Sequence, residues 1–351
     1  MASPALNRLR KLWFNVHMWI GVALFVILVP LSVSGVILAW RPEIDRVSHP
    51  ERYQVSGGDP VLGPSAYLSA ASHALGPAFK PDRITYPARP GSPVLVYGAS
   101  RGGRVGAWLD PPTGRVLALG PVSDPLVGVM HDIHEELLVP GVGRQAVGVF
   151  GVFMLIQAMT GLWLWWPRAR GFLSGLSWRR SPFLDARLHY FTGFWVSVPL
   201  VVLAASGIVL AFPSGGGPPP RGDRHDAARS PSPHIGITAD QALVQAQTLS
   251  AGARLVSISA PNPGTPAWRF QFMAADAPIA VKVEDREGGQ PELSKGRRTD
   301  ALSKWSGRLH AGDDFGLVWR IICTIAGLAP VLFAITGVMQ WLRGRRGRAP
   351  S

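Results

Sequence analysis

The stretch "HMWIGVALFVILVPLSVSGVILAW", His17 to Trp40, contains no charged residue. It is long enough to cross a bilayer as a helix, which takes roughly 20 residues. It opens with a histidine. A second stretch, "HYFTGFWVSVPLVVLAASGIVLAF", runs from His189 to Phe212. Laid on the first without a gap, it sets His189 on His17, Gly193 on Gly21 and Gly207 on Gly35, and "SGVILAW" becomes "SGIVLAF". A membrane-length helix that recurs with its histidine in place points to a duplicated unit that needs the imidazole twice.

Four uncharged apolar windows of this length occur: Leu12–Trp40, Gln145–Trp166, Tyr190–Phe212 and Ile321–Leu342. A soluble core has no use for four such runs. The expected fold is therefore integral membrane α-helical, with four transmembrane helices. Orientation follows from Lys and Arg near the helix ends. Arg8, Arg10 and Lys11 precede the first helix. Arg168, Arg170, Arg179, Arg180 and Arg187 lie between the second and third, and "RGRRGR" (Arg343–Arg348) follows the fourth. These short basic segments belong in the cytoplasm, with both termini. The two long segments then face the periplasm of a bacterium, and the membrane is the inner one. The first helix is expected to stay as a signal anchor, since it is long and no small-x-small site follows it. The net charge of +13 is accounted for by flanks that set topology and meet anionic lipid, so it calls for no nucleic acid. The one cysteine, Cys323, lies inside the fourth helix. It excludes an internal disulfide, a Cys-x-x-Cys redox motif and a thioether haem attachment site.

The second and fourth windows repeat as well. "HEELLVPGVGRQAVGVFGVFMLIQAMTGLWLWWPRARG" starts at His134, and "HAGDDFGLVWRIICTIAGLAPVLFAITGVMQWLRGRRG" at His310. One ungapped offset matches His134 with His310, Arg144 with Arg320, Gly151 with Gly327, Thr160-Gly161 with Thr336-Gly337, and Trp165 with Trp341. Both units begin in the cytoplasm. They are expected to be parallel repeats about an axis along the membrane normal, which keeps equivalent residues at equal depth.

The expected order is a membrane helix over 12–40, an extracytoplasmic module over 41–130, and a His-x-x-His segment with the second helix over 131–166. A cytoplasmic loop over 167–188 and a third helix over 189–212 follow. A Pro/Gly/Ser-rich linker over 213–236 leads to a second module over 237–308. A His segment with the fourth helix over 309–342 and a basic tail over 343–351 complete the chain. Each module reads as a small α+β unit. In the first, "PSAYLSAASHAL" is a helix, "RITYPA", "PVLVYGA" and "GAWLD" are strands, and "DPPTG" is a tight turn. In the second, "TADQALVQAQTL" is a helix with Thr238 as N-cap, followed by strands "ARLVSISA", "AWRFQFMA" and "IAVKVED".

The His-led first helix ending in "SGVILAW", the "AWLDPPTGRVLAL" run, the His-x-x-His before the second helix and the closing "TGVMQWL" together resemble the PepSY-associated transmembrane family. The resemblance spans nearly the whole chain. It implies two PepSY-like periplasmic modules, of which the second departs from the pattern with "EDREGGQPEL" in place of Asp-Pro-x-Thr-Gly. The best-understood type in the family is similar to the FoxB-type ferrisiderophore reductases. That likeness implies haem b in the membrane and electron transfer to ferric siderophores. Other PepSY-containing proteins are thought to inhibit peptidases or to be fused to flavoprotein reductases.

Ionisable residues in membrane helices default to a functional reading. The repeat axis pairs His17 with His189 near the cytoplasmic ends, and His134 with His310 at the opposite face. Each pair offers two imidazoles at one depth, as bis-histidine ligation of a haem requires. Two haems b are expected. Gly35 lies five turns from His17 on one helix face, and Gly207 has the same relation to His189. Glycine there admits a macrocycle or a packed helix. His131 precedes His134 on the same helical face and is a rival ligand, although it aligns with Gly307. With Glu135 and Glu136 the cluster is alternatively a divalent metal site. Arg144 and Arg320 are candidates for haem propionates or for snorkelling to the interface. Trp163, Trp165, Trp166 and Trp341 are expected in an aromatic belt. His49, His73, His225 and His234 read as surface residues. No nucleotide-binding fingerprint occurs, so electrons must come from a quinol or a docking cytoplasmic flavoprotein. Three readings follow: an oxidoreductase reducing periplasmic ferric siderophore, a membrane-anchored PepSY protein that binds or inhibits a peptidase, and an iron or haem transporter.

Overall fold

The computed structural model describes residues 4–100, 103–122, 124–166, 181–212, 236–274, 277–294, 298–312 and 315–346. Most of the linker, much of the loop after the second helix, the end of the tail, and His225, His234, Arg168, Arg170, Arg179, Arg180 and Arg348 lie outside the described residues. The chain divides into two units.

The first unit holds four long helices: α1 (Pro4–Ala39), α5 (Gly143–Trp165), α6 (Leu184–Ala211) and α9 (Gly316–Arg346). All four are long and apolar enough to cross a membrane. Their packing is inside-out relative to a soluble bundle. Small residues are buried between them, among them Ser34, Ala158, Ala204, Ser206, Ala326 and Thr336. Large apolar side chains such as Val26, Trp195, Val198, Ile325 and Ile335 point outward. Lipid removes any gain from burying Leu against Leu, so close backbone approach between small residues holds such helices together. α1 packs along α9 and α5, and α6 packs along the same two, so α1 and α6 stand diagonally across the bundle. Pro30, Pro199 and Pro330 lie within α1, α6 and α9 without ending them.

Two shorter helices precede two of the spans. α4 (Pro125–Glu136) lies against α1 and α5, and α8 (Arg298–Ala311) lies against α6. α4 is separated from α5 by a turn in which Leu137 and Leu138 both take positive φ. At the other end, Arg10 donates to the Leu164 carbonyl at the end of α5, and Arg343 pairs with the buried Asp185 at 2.7 Å.

The second unit holds α2 (Arg41–Ser48), α3 (Pro64–Leu75), α7 (Ala239–Gln247) and eight strands. β1 (Lys80–Thr85), β2 (Val94–Ser100), β3 (Gly103–Leu109) and β4 (Val116–Pro121) come from one stretch of chain. β5 (Arg254–Ser259), β6 (Ala267–Ala274), β7 (Ala277–Glu284) and β8 (Pro291–Leu293) come from the other. They form one antiparallel sheet in the order β4-β3-β2-β1-β5-β6-β7-β8. The two stretches expected to form modules therefore contribute four strands each to one shared sheet. β1 pairs with β5 through Arg83 with Ser259, Ile84 with Ile258 and Thr85 with Ser257. Each half alone would leave an unpaired strand edge, and the pairing covers both. One core serves both halves: Ile84, Val96, Ile258, Phe270 and Val281 from the strands, Tyr67 and Ala71 from α3, and Ala242 and Ala246 from α7. Thr238 caps α7 with a full capping box, accepting from the Gln241 amide at 3.2 Å while Gln241 Oε1 accepts from Thr238 N at 2.8 Å.

The turn "DPPTG" is held by Asp110, which is 0% exposed. Its carboxylate accepts from Ser56 N and Ser56 Oγ, both at 2.7 Å, and from the Thr113 hydroxyl. The second half lacks that turn, yet Asp285, just after β7 as Asp110 is just after β3, accepts from Gly236 N and Ile237 N at 3.0 and 3.1 Å. Each carboxylate ties down the chain ahead of a helix. Burial alone would raise the pKa of Asp110, but the hydrogen bonds from Thr113 and Ser56, with the Arg115 charge, outweigh it and hold the group below the usual carboxylate range. A carboxyl with a depressed folded pKa stabilises the fold above its unfolded value, near 4. The contribution is therefore full at neutral pH and is lost as pH falls from about 4 through the lower folded value. Thermal melts of the full chain are expected to show an acid loss that the D110N variant lacks.

Candidate functional site

His17, near the start of α1, and His189, near the start of α6, meet across the bundle diagonal with ring centroids 6.4 Å apart and planes at 83°. His134 on α4 and His310 on α8 meet likewise, 5.9 Å apart at 46°. His134 packs against Gly35, about 27 Å further along α1 from His17 at 1.5 Å per residue. The four histidines thus form two pairs at two levels of the unit.

In all four, Nδ1 is engaged. His17 Nδ1 lies 3.0 Å from Thr160 Oγ1, and His189 Nδ1 lies 2.9 Å from Thr336 Oγ1. Each threonine hydroxyl already donates its proton to a carbonyl one turn back, Ile156 or Leu332, at 2.7 Å. It can therefore only accept from the imidazole. His134 Nδ1 lies 3.0 Å from the Leu31 carbonyl and 3.3 Å from Ser34 Oγ. His310 Nδ1 lies 3.0 Å from the Leu203 carbonyl and 3.1 Å from Ser206 Oγ. A carbonyl accepts and never donates, so the proton again sits on Nδ1. The tautomer is the same four times, and each Nε2 keeps its lone pair. Burial also lowers the pKa of His134 and His310, which lie on the short helices outside the four spans, and favours the neutral ring.

Such an arrangement suits a metal between two imidazoles. Two rings bound in line on opposite sides of one metal at about 2 Å put their centroids roughly 6 Å apart. A second-shell acceptor on the other ring nitrogen fixes ring orientation and raises ligand basicity. The residues present fit two bis-histidine haems. Among the described residues no group of three or more His, Cys, Asp and Glu side chains is placed to hold a metal ion.

Each histidine is also opposed by a glycine. A Cβ built on Gly35 would lie 2.7 Å from His134 Cε1, and one on Gly207 would lie 3.1 Å from His310 Cε1. At the other level, a Cβ on Gly161 would come within 3.1 Å of His17 Cε1, whereas one on Gly337 would stay 3.9 Å from His189. The glycines hold the space the rings occupy. Gly35→Ala is therefore expected to displace His134 at a cost of about 1–3 kcal/mol, while Gly337→Ala is close to neutral. Thermal melts of the two variants side by side check this.

The other candidates divide. His134, and not His131, meets His310. His131 Nε2 instead lies 3.3 Å from Glu135, which also pairs with Arg144 at 2.7 Å. Arg320 is buried, donates from Nε to the Ala39 carbonyl at 2.7 Å, and sits 4.3 Å over the Trp40 ring. Both guanidiniums stand at the level of the His134 pair. Trp163 and Trp166 are exposed, as a belt requires, and Trp341 sets its ring edge against Trp19. Trp165 departs from the expectation: it is buried and stacks on Phe194 at 4.2 Å. His49 lies between Asp45 and Asp124 at 3.5 and 3.9 Å and is only a quarter exposed. Thr160, Thr336, Ser34 and Ser206, which touch the four rings, are marked in the sequence only by their recurrence in the repeated motifs. Gln157, whose amide faces Gly21 one turn from His17, has Phe333 as its repeat counterpart, with that ring 5.1 Å from His189.

Residues 14–344 match the family described as the PepSY-associated TM region. The chain belongs to that family. The match takes in most of the first span of this PepSY-associated transmembrane protein, the second and third spans, nearly all of the fourth, both histidine pairs and the whole sheet unit. Comparison with curated proteins gave no match.

Proposed function

We propose that this PepSY-associated protein is a haem b oxidoreductase of a bacterial inner membrane, which passes electrons outward and reduces ferric siderophore in the periplasm. The observation that carries the reading is the pair of imidazole pairs, each at metal-sandwiching distance and each with its proton held on Nδ1. His17 with His189 would hold one haem, and His134 with His310 the other. Bound haem supplies reversible one-electron exchange. The protein's own residues do the rest. Thr160, Thr336 and the Leu31 and Leu203 carbonyls aim the rings. Gly35, Gly161 and Gly207 leave room for His134, His17 and His310. The bundle leaves each of the four histidines only partly exposed. Arg144 and Arg320, with their charges at the level of the second pair, suit propionate groups there.

The reading includes two parallel repeats, each a span, half of the sheet unit, a histidine and a second span. The basic flanks place the His17 pair toward the cytoplasm, where a quinol or a flavoprotein would donate, and the His134 pair toward the periplasm. Hydroxamate and catecholate oxygens are hard ligands that favour ferric iron, so one electron loosens the metal. The test is an optical spectrum of the detergent-purified protein, oxidised and dithionite-reduced, with a pyridine haemochrome count and a ferric-hydroxamate reduction assay. About two low-spin haems per chain and chelate reduction are expected. A protein that takes up no haem on supplementation sinks the reading and leaves a membrane-anchored module that binds a peptidase.

A further inference from the structure

The two histidine pairs differ in what receives the Nδ1 proton. At the first, His17 and His189 each give it to one threonine hydroxyl, at 3.0 and 2.9 Å. At the second, His134 and His310 give it to main-chain carbonyls, Leu31 and Leu203, each at 3.0 Å, with Ser34 and Ser206 hydroxyls alongside at 3.3 and 3.1 Å. A peptide carbonyl oxygen carries the larger partial negative charge and is the stronger acceptor, although each threonine oxygen gains acceptor strength by donating elsewhere and the Leu31 and Leu203 carbonyls also accept from Ser34 and Ser206 Oγ at 3.2 and 3.1 Å. The stronger acceptor draws the Nδ1 proton further from the ring. The ring then carries more negative charge and becomes the more basic ligand. More basic axial ligands stabilise ferric over ferrous iron, and hydrogen bonding to the axial ligand is one of the levers that set a haem potential.

We infer that Thr160 and Thr336 at one level, against the Leu31 and Leu203 carbonyls at the other, are positioning residues that set the two haems at different potentials, the His134–His310 haem being the lower. The inference rests on the proposed haem binding and deepens it. The level opposite the basic flanks then carries the stronger reductant, as the reduction of a hard-ligated ferric ion demands. The first pair holds its electron more firmly, as an entry point suits.

The experiment is a spectroelectrochemical titration of the reduced α-band on the full chain in detergent. Two midpoints are expected. H134A/H310A should leave only the higher one, and H17A/H189A only the lower. T160V/T336V removes the sole side-chain acceptor at the first pair while keeping shape, so its midpoint should rise and the other should stay. T160S/T336S should restore it. S34A/S206A leaves the carbonyls in place and should move the second midpoint less than the threonine change moves the first. One shared midpoint, the reverse order, or a first midpoint unmoved in T160V/T336V overturns the inference while leaving a haem protein intact. Absence of a Soret band overturns the proposed function itself, and the inference with it.

Discussion

Replacing His134 and His310 together with alanine is expected to halve the haem content, from about two per chain to about one, and to leave the remaining haem low-spin. His17 and His189 are not in contact with the changed rings, and their threonine partners lie on α5 and α9. The converse double variant at His17 and His189 should remove the other haem. Single variants are more telling. H310A leaves His134 oriented by the Leu31 carbonyl but with no second imidazole across from it. A haem held from one side has an open sixth position, so the spectrum should turn high-spin or the haem should be lost. H131A should leave both haems, because that ring turns to Glu135 and not to His310. Pyridine haemochrome counts and reduced spectra of these four proteins decide it. If all four keep two low-spin haems, the histidine pairs are structural and the electron-transfer account fails.

The second large effect is expected in the sheet unit. D110A removes the acceptor for one backbone amide and two hydroxyls in a site closed to solvent. Hydrogen bonds to a charged group contribute about 1.5–3 kcal/mol each, and donors left buried add their own penalty. The loss should reach at least about 3 kcal/mol, a large part of the roughly 5–15 kcal/mol that holds a domain together. Tyr67 donates to the Pro111 carbonyl from the core side, so loosening the turn also frees α3. Limited proteolysis of the full chain should cut the sheet unit of D110A at temperatures where the native protein resists. D110N, which keeps one acceptor oxygen, should fall between. Equal resistance of D110A and the native protein would show that the turn is held by something other than this carboxylate.

Much of this was legible in one dimension because its causes are local. A run such as Leu12–Trp40 without a charge can rest only in lipid or a core, and four of them exceed what a core holds. The α3 stretch "PSAYLSAASHAL" and the Thr238 cap are helix signals confined to a few residues, and the structure places both as read. β4 and β8 were missed because "VLALGP" and "PEL" carry no clear alternation, and only a neighbouring strand makes strands of them. The joining of two halves into one sheet was invisible for a related reason. The pairing of Ile84 with Ile258 links residues far apart in the chain, and nothing within either strand names its partner.

At the candidate site the division is the same. The sequence by itself determined four membrane-length helices, a duplicated pattern and four histidines at matching places, because periodicity and the absence of charge act over a single helix. Only the tertiary structure decided that His134 rather than His131 meets His310, that Trp165 turns inward onto Phe194, and that Thr160 and Leu31 receive the imidazole protons. Each of those depends on which helix lies across from which. That is settled when small residues let backbones approach, and a helix carries no record of its neighbour's register in its own residues.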